Sequence, residues 1–212
     1  MKSLAHMSKC LPAPCLGTVH RRGLIRQTGA FAVEFALVIV IFLTLLFTIM
    51  EVARALYIWN TLQEVTRRAG RAAAVTDFSD VNAMAQLRQR AIFRNSPGTL
   101  AIAAPITDEH IRIDYMSIQS KSNTELEKVQ IATAALPKCP ARNLVTCTAK
   151  TGDASCIRLV RVRICQVGGA ECTPVPYETL FPLVKFPVNL PTAETIVQAE
   201  SLGYTPGMAL CN

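Results

Sequence analysis

Residues 30–50 read AFAVEFALVIVIFLTLLFTIM, an apolar run of 21 residues in which Glu34 is the only ionisable side chain. A helix rises about 1.5 Å per residue, so this run is long enough to cross a hydrocarbon core of about 30 Å. The core helix of a soluble protein would carry a polar stripe, whereas only Thr44 and Thr48 add further polarity here. The run therefore predicts a transmembrane helix.

A secretory signal peptide is the main alternative to a permanent membrane anchor, because a basic region precedes the run. Signal peptides have an apolar region of about 7 to 15 residues that ends at a small-residue cleavage site. This run is longer, and the first good small-x-small site after it lies at residues 72–74, well beyond Met50. We therefore expect the segment to stay in the mature protein.

The positive charge of the chain is concentrated before the apolar run. The net charge is +7, and residues 1–29 contribute five basic side chains and no acid. The rest of the chain is close to neutral, which argues against nucleic-acid binding and favours a membrane role for the basic leader. The three arginines nearest the run predict a cytoplasmic N-terminus. With 50% hydrophobic residues, wholesale disorder is excluded.

Six cysteines follow the apolar run. An even number of cysteines after the span fits an oxidising compartment on that side of the membrane. The sequence does not give their pairing. The candidate disulfide cysteines are Cys139, Cys147, Cys156, Cys165, Cys172 and Cys211.

After Met50 the apolar residues recur at steps of three and four, which predicts an amphipathic helix continuing to about Val75. Its apolar positions are Val52, Leu56, Trp59, Leu62, Val65, Ala69 and Ala72. The outer half of this stripe must be covered by a partner or by the chain's own domain. A second helix is predicted over residues 77–95, capped by Asp77 or Ser79.

The remainder of the chain is rich in predicted strands. Residues 111–118 and 156–167 alternate between apolar and polar side chains, which predicts antiparallel strands with one buried face. Residues 137–155 are predicted to form a loop, and the proline-rich residues 174–191 an edge strand or an extended arm. Residues 194–200 are predicted to be a short acidic tail.

The predicted fold class is α+β. It consists of a long N-terminal transmembrane helix that continues into an amphipathic helix, followed by a small antiparallel-sheet exported domain with disulfides. The predicted divisions are a basic cytoplasmic leader (1–29), the span (30–50), a membrane-proximal helical stalk (51–95) and the exported domain (96–212).

The sequence offers no visible catalytic or metal site. The only histidines are His6, His20 and His110, so no histidine cluster or Ser-His-Asp arrangement can be assembled. There is also no CxxC, phosphate-binding glycine loop or HExxH motif. Cys10 and Cys15 with His20 have the residue types of a zinc site but supply only three ligands, so ordinary leader residues are the better interpretation. We expect no cofactor and no enzymatic activity.

A carboxylate in a membrane segment is a functional candidate by default, because its insertion costs about 2.5 to 3.5 kcal/mol. Here Gly29 and Ala30 precede Glu34 and Phe35 at the start of the apolar run, behind a basic leader. This arrangement resembles the prepilin-peptidase site of type IV pilin-like proteins. In that family the enzyme cuts after the glycine and leaves the glutamate as the fifth residue of the mature chain.

The residues just beyond the span are similar to the membrane-proximal signature of the TadE-like family of tight-adherence (Tad/Flp) pilus systems. The signature positions are Glu51, Arg54, Tyr57, Arg67, Gly70 and Arg71. Two features depart from the pattern of these systems. The leader is long, although initiation at Met7 would shorten it, and Phe35 stands where the major pilins usually have tyrosine.

The resemblance implies a minor pilin or pseudopilin in the bacterial inner membrane, single-pass, with its C-terminal domain periplasmic or extracellular. It also implies three protein partners: the prepilin peptidase, related TadF-like pilin-like subunits and the Tad secretion machinery. Membrane lipid is the fourth expected partner. In such an assembly Glu34 can pair with the new Ala30 amine of a neighbour, an attraction of about 4 kcal/mol at about 4 Å and an effective dielectric of about 20. Two alternatives are an uncleaved scaffold of an envelope secretion complex and an exported thiol-redox enzyme.

Overall fold

The computed structural model describes residues 28–121, 125–169, 171–180 and 187–211. Contacts divide the chain into two units, residues 1–41 and 42–212. Most of the basic leader, including Cys10 and Cys15, lies outside the described residues, as does the middle of the proline-rich segment.

Helix α1 spans Thr28–Ala73, which confirms a long N-terminal helix that ends two residues before the predicted end at Val75. It is near the N-terminus and is long and apolar enough to cross a membrane. Residues 29–41 are all exposed, as expected for side chains that face lipid. In the second unit, the Thr48 hydroxyl donates to the Thr44 carbonyl oxygen at 2.7 Å, so this hydroxyl needs no water partner within the apolar run.

Beyond residue 50 one face of α1 becomes buried by the chain's own domain. Ile58, Leu62, Val65 and Ala69 are fully buried in the main hydrophobic core. The prediction that the stripe needs a cover is therefore met within the chain for Leu62, Val65 and Ala69.

The first three positions of the predicted stripe belong to its inner half, for which no cover was predicted. Val52, Leu56 and Trp59 are 49%, 57% and 52% exposed. The domain covers the neighbouring face, where Glu51 and Ile58 point, and leaves these three side chains outside the core.

Helix α2 spans Val81–Ala91 and is shorter than the predicted helix over residues 77–95. Its N-cap is Asp80, whose carboxylate accepts hydrogen bonds from the amides of Asn82 and Ala83. The predicted cap, Asp77, instead accepts from the amide and hydroxyl of Ser79 in the preceding turn. The helix buries Met84, Leu87 and Ala91 against the core.

Four antiparallel strands form one sheet. They are β1 (Ile111–Ser120), β2 (Leu126–Gln130), β3 (Leu159–Ile164) and β4 (Glu194–Gln198), in the order β2-β1-β3-β4. β1 and β3 confirm the two alternating stretches, with Tyr115 opposite Val160 and Val160 opposite Val197 on the face that joins the core. The expectation of an acidic tail at residues 194–200 is wrong, because residues 194–198 form β4. They pair with every residue of β3 except Ile164.

Helix α3, Pro140–Ala149, lies where residues 137–155 were predicted to be a loop. Pro140 occupies the first helical turn, where its missing N–H costs nothing, so the proline starts this helix instead of excluding it. Disulfides cross-link the domain, and two of them begin at Cys139, just before the helix, and at Cys147, within it. The pairs are Cys139–Cys211, Cys147–Cys156 and Cys165–Cys172.

Candidate anchoring and assembly site

Glu51 is the first residue after the apolar run, and its side chain is fully buried. Its carboxylate accepts a hydrogen bond from the Tyr177 hydroxyl at 2.6 Å and another from the Leu180 amide at 2.6 Å. A buried carboxylate is unfavourable unless it is paired and hydrogen-bonded. These donors come from a segment more than 120 residues further along the chain.

Arg54 lies one helical turn after Glu51, with its Nη1 atom 3.7 Å from the carboxylate and only 8% of its side chain exposed. Its guanidinium donates to the carbonyl oxygens of Ile102 at 2.8 Å, Ala104 at 3.2 Å and Glu178 at 2.6 Å. A planar guanidinium with five donors suits such a set of carbonyls. Arg54 therefore ties α1 to two separate loops of the domain.

Tyr177 completes what we call the Glu51 cluster, formed by Glu51, Arg54 and Tyr177. The Arg54 guanidinium lies 5.2 Å from the centre of the Tyr177 ring and donates to its hydroxyl at 3.1 Å. Burial and the hydrogen bond to Glu51 raise the pKa of Tyr177. The hydroxyl is therefore protonated at neutral pH and acts as a donor to the carboxylate.

Gly70 lies where β4 packs on α1. A β-carbon at this position would lie 3.3 Å from Cγ1 of Val197. One turn earlier, the hydroxyls of Thr66 and Thr195 are hydrogen-bonded at 2.9 Å. A small residue at position 70 lets the strand pack directly on the helix backbone.

The remaining signature residues, Tyr57, Arg67 and Arg71, are exposed. They share one side of α1 at helical spacing, so the structure separates the signature into two groups. Glu51, Arg54 and Gly70 contact the domain that packs on the helix, whereas these three side chains are exposed.

The predicted processing residues lie in the first turns of α1. Gly29, Ala30, Glu34 and Phe35 are all exposed, and no atom of the described residues lies within 4 Å of a β-carbon built at Gly29. Ala30 and Glu34 are four residues apart and therefore share a face. The first amides of a helix have no partner within it, so this end frays readily.

Sequence reasoning missed a second charged cluster, on the sheet face opposite the core. Asp114 is buried and accepts from Arg163 at 2.6 Å, Arg112 at 3.2 Å and Arg161 at 3.3 Å, and from Gln130 at 3.1 Å. The alternating Ile-Arg-Ile-Asp pattern of β1 and the Arg-Val-Arg pattern of β3 carry the signal, because alternate residues share a face. With its oxygens bound to three guanidinium groups, Asp114 is an ion-pair anchor of the sheet and is unsuited to act as a general base.

A cavity of about 660 Å³ lies between α2 and the start of β1 and includes His110 in its lining. The His110 ring nitrogen Nδ1 accepts a hydrogen bond from the Thr107 amide at 3.0 Å. Burial lowers the pKa of His110, against the opposing effect of nearby Glu109 and Asp108. Within the part of the chain that the structure describes, no group of three histidine, cysteine or acidic side chains is placed to hold a metal ion.

The geometry defines a membrane-anchored, single-pass protein with an α+β domain that is held on its own anchor helix by a buried ion pair. Residues 29–71 match the model of a family described as TadE-like protein, which confirms the resemblance for this segment. The chain matches no curated protein and no solved structure. The matched segment contains Glu51, Arg54 and Gly70, while their contacts Tyr177 and Val197 lie outside it.

A TadE-like segment indicates a pseudopilin role associated with the Tad pilus. Proteins of this kind are structural components and are not typically enzymes. The match also indicates association with the Tad machinery and with pilin-like subunits.

Proposed function

We propose that this chain is a minor pilin or pseudopilin of a Tad-type (Flp) pilus system that a prepilin peptidase cuts between Gly29 and Ala30. The observation that carries the proposal is the exposed start of α1. Residues 29–41 are exposed throughout, so the cleavage position is open to a peptidase. The same helix surface is available for packing against other subunits in the membrane.

Cleavage would change the charge at the start of the helix in a way that favours assembly. It removes the five basic side chains of residues 1–29 and creates an amine at Ala30. Glu34 of one subunit can then pair with the Ala30 amine of a neighbour, and the attraction of about 4 kcal/mol is comparable with the cost of inserting the carboxylate. Paired subunits are thereby favoured over isolated ones.

In this proposal the signature residues have two separate roles. The Glu51 cluster and Gly70 hold the exported domain on the helix, and the exposed Tyr57, Arg67 and Arg71 are available to a related TadF-like subunit or to the Tad secretion machinery. The assembled protein would support pilus biogenesis and adherence from the bacterial inner membrane, with its N-terminus cytoplasmic.

The decisive experiment is to determine the N-terminal residue of the chain recovered from cells. We expect Ala30, and we expect Gly29→Leu to retain the leader. Gly23→Leu is the matched control, since it makes the same change within the leader and should leave cleavage unchanged. A wild-type chain that still begins at Met1 or Met7 would refute processing and favour the uncleaved scaffold.

A second experiment tests the assembly role of Glu34. We expect Glu34→Ala to insert into the membrane at least as well as the wild type but to lose co-purification with pilin-like subunits. Glu64→Ala removes an exposed carboxylate elsewhere on α1 and should have no such effect. Normal assembly of the Glu34→Ala variant would contradict the pairing mechanism.

A further inference from the structure

An apolar groove of about 350 Å³ lies between α1 and the segment that leads into β4. The helix wall is formed by Val52, Leu56 and Trp59, and the opposite wall includes Val188 and Leu190. Val188 is 53% exposed, comparable with the three helix residues. Among the described residues, the domain therefore leaves a sizeable apolar surface open directly beside the anchor helix.

The helix wall of this groove continues the surface of the apolar run. Leu45, Ile49, Val52, Leu56 and Trp59 follow one another at alternating steps of four and three, which places them on one face of α1. Leu45 and Ile49 are 58% and 57% exposed, much like the groove residues. On this face the side chains are apolar both before and after Met50. The lipid-facing surface therefore continues into the groove.

Glu51 is also among the residues that line the groove, but the charges that end the apolar run in the sequence are bonded within the protein. The Glu51 carboxylate is bonded to Tyr177 and the Leu180 amide, and the Arg54 guanidinium is bonded to backbone carbonyls of the domain. Both charges are thus satisfied within the protein. A bilayer that reaches past them meets apolar side chains and no uncompensated charge.

We propose that phospholipid acyl chains fill this groove, so that the domain rests directly on the leaflet beside it. Trp59 lies nine residues beyond Met50, about 13 Å of helix rise, and tryptophan prefers the membrane interface. The membrane contact on this face then extends about two and a half helical turns beyond Met50. The inference rests on membrane anchoring and does not depend on pilus assembly or on cleavage.

Trp59 is the only tryptophan of the chain, so the native protein carries its own probe. The full chain is reconstituted into phosphatidylcholine–phosphatidylglycerol vesicles with and without bromine at carbons 6 and 7 of the acyl chains. We expect brominated lipid to reduce Trp59 fluorescence about twofold, because Trp59 is 52% exposed and lines the groove. The reduction should not change when the protein is diluted in lipid.

Two results would overturn the proposal. One is equal fluorescence in brominated and ordinary vesicles, which would mean that lipid does not reach the groove. The other is quenching that appears only on dilution in lipid, which would mean that a second copy of the chain covers Trp59 at higher density.

The groove wall formed by the domain needs a separate test, because Trp59 reports only on the wall formed by the helix. In a Trp59→Phe background, Val188→Trp should be quenched like the native tryptophan. Leu126→Trp is the control, because Leu126 is 72% exposed on β2, the edge strand opposite β4, which is the strand that contacts α1. Equal behaviour of the two variants, whether both are quenched or neither is, would contradict contact between this wall and lipid.

Discussion

Replacing Arg54 by methionine removes the charge that faces Glu51 while keeping a long unbranched side chain. The variant leaves the Glu51 carboxylate buried without its counter-charge, and three backbone carbonyls lose a donor. Removing one partner of a buried ion pair typically costs about 3 to 5 kcal/mol. We expect Arg54→Met to lower the free energy of unfolding of the domain by that amount.

The temperature midpoint should fall accordingly. In a domain of this size about 1 kcal/mol corresponds to about 2 to 4 °C, so the expected decrease is on the order of 10 °C. Glu51→Gln should also destabilise the domain, because it keeps an acceptor for Tyr177 but leaves Arg54 unpaired. The double variant Glu51→Gln/Arg54→Met carries no unpaired charge, and we expect it to lose less than the sum of the two single variants, by about 1 to 3 kcal/mol.

The measurement is urea-dependent pulse proteolysis of the full chain in detergent micelles, with thermal melts as a second readout. Arg67→Met is the matched control, since Arg67 is exposed on the same helix and should change stability by less than about 0.5 kcal/mol. If Arg54→Met and Arg67→Met are equally stable, Glu51 and Arg54 do not hold the domain. Additive single variants would show that the two side chains act independently.

Three further changes test other parts of the fold by the same unfolding measurement. Gly70→Leu should destabilise the domain by about 1 to 3 kcal/mol, because its side chain would collide with Val197. Replacing both Cys139 and Cys211 by serine should cost about 4 kcal/mol by loop-closure entropy, since their separation is 72 residues. Burial lowers the pKa of His110, so the folded protein binds a proton there less readily than the unfolded chain. The free energy of unfolding should be highest above about pH 6.5, the ordinary pKa of histidine, and should decrease as the pH drops below this value. The His110→Asn variant should show a weaker dependence of stability on pH.

Each of these predictions has its own control. Gly70→Ala should be milder than the leucine variant, because alanine adds about 1 kcal/mol of helix propensity. Losing the pair Cys165–Cys172 should cost only about 2.5 kcal/mol, because its separation is 7 residues. If both disulfide variants are equally stable, loop length does not set their contribution. An unchanged acid response in His110→Asn would mean that other groups cause the loss of stability.

The elements with a clear periodicity were predictable from the sequence. The apolar run and the alternation in β1 and β3 are local signals, and the structure confirms a helix and two strands there. The short β4 has only five residues, too few for its alternation to stand out from an acidic tail. α3 was mistaken for a loop because its proline and cysteine are more typical of loops than of helix starts.

The candidate site was predictable in its residues but not in its contacts. Glu51 and Arg54 were recognised through their likeness to a family signature, which says nothing about what they touch. Their partners come from loops near residues 102–104 and 177–180. No local pattern links segments so far apart, so only the folded chain shows that the signature holds the domain on the helix.

The packing of β4 on α1 also has a consequence for biosynthesis. The ribosome makes the helix near the start of the chain, but the side chains that cover Thr66 and Gly70 belong to Thr195 and Val197. The nascent domain therefore cannot reach its native state until almost all of the described residues have been translated. Throughout that delay the inner face of the helix is uncovered, and chaperones would have time to bind it.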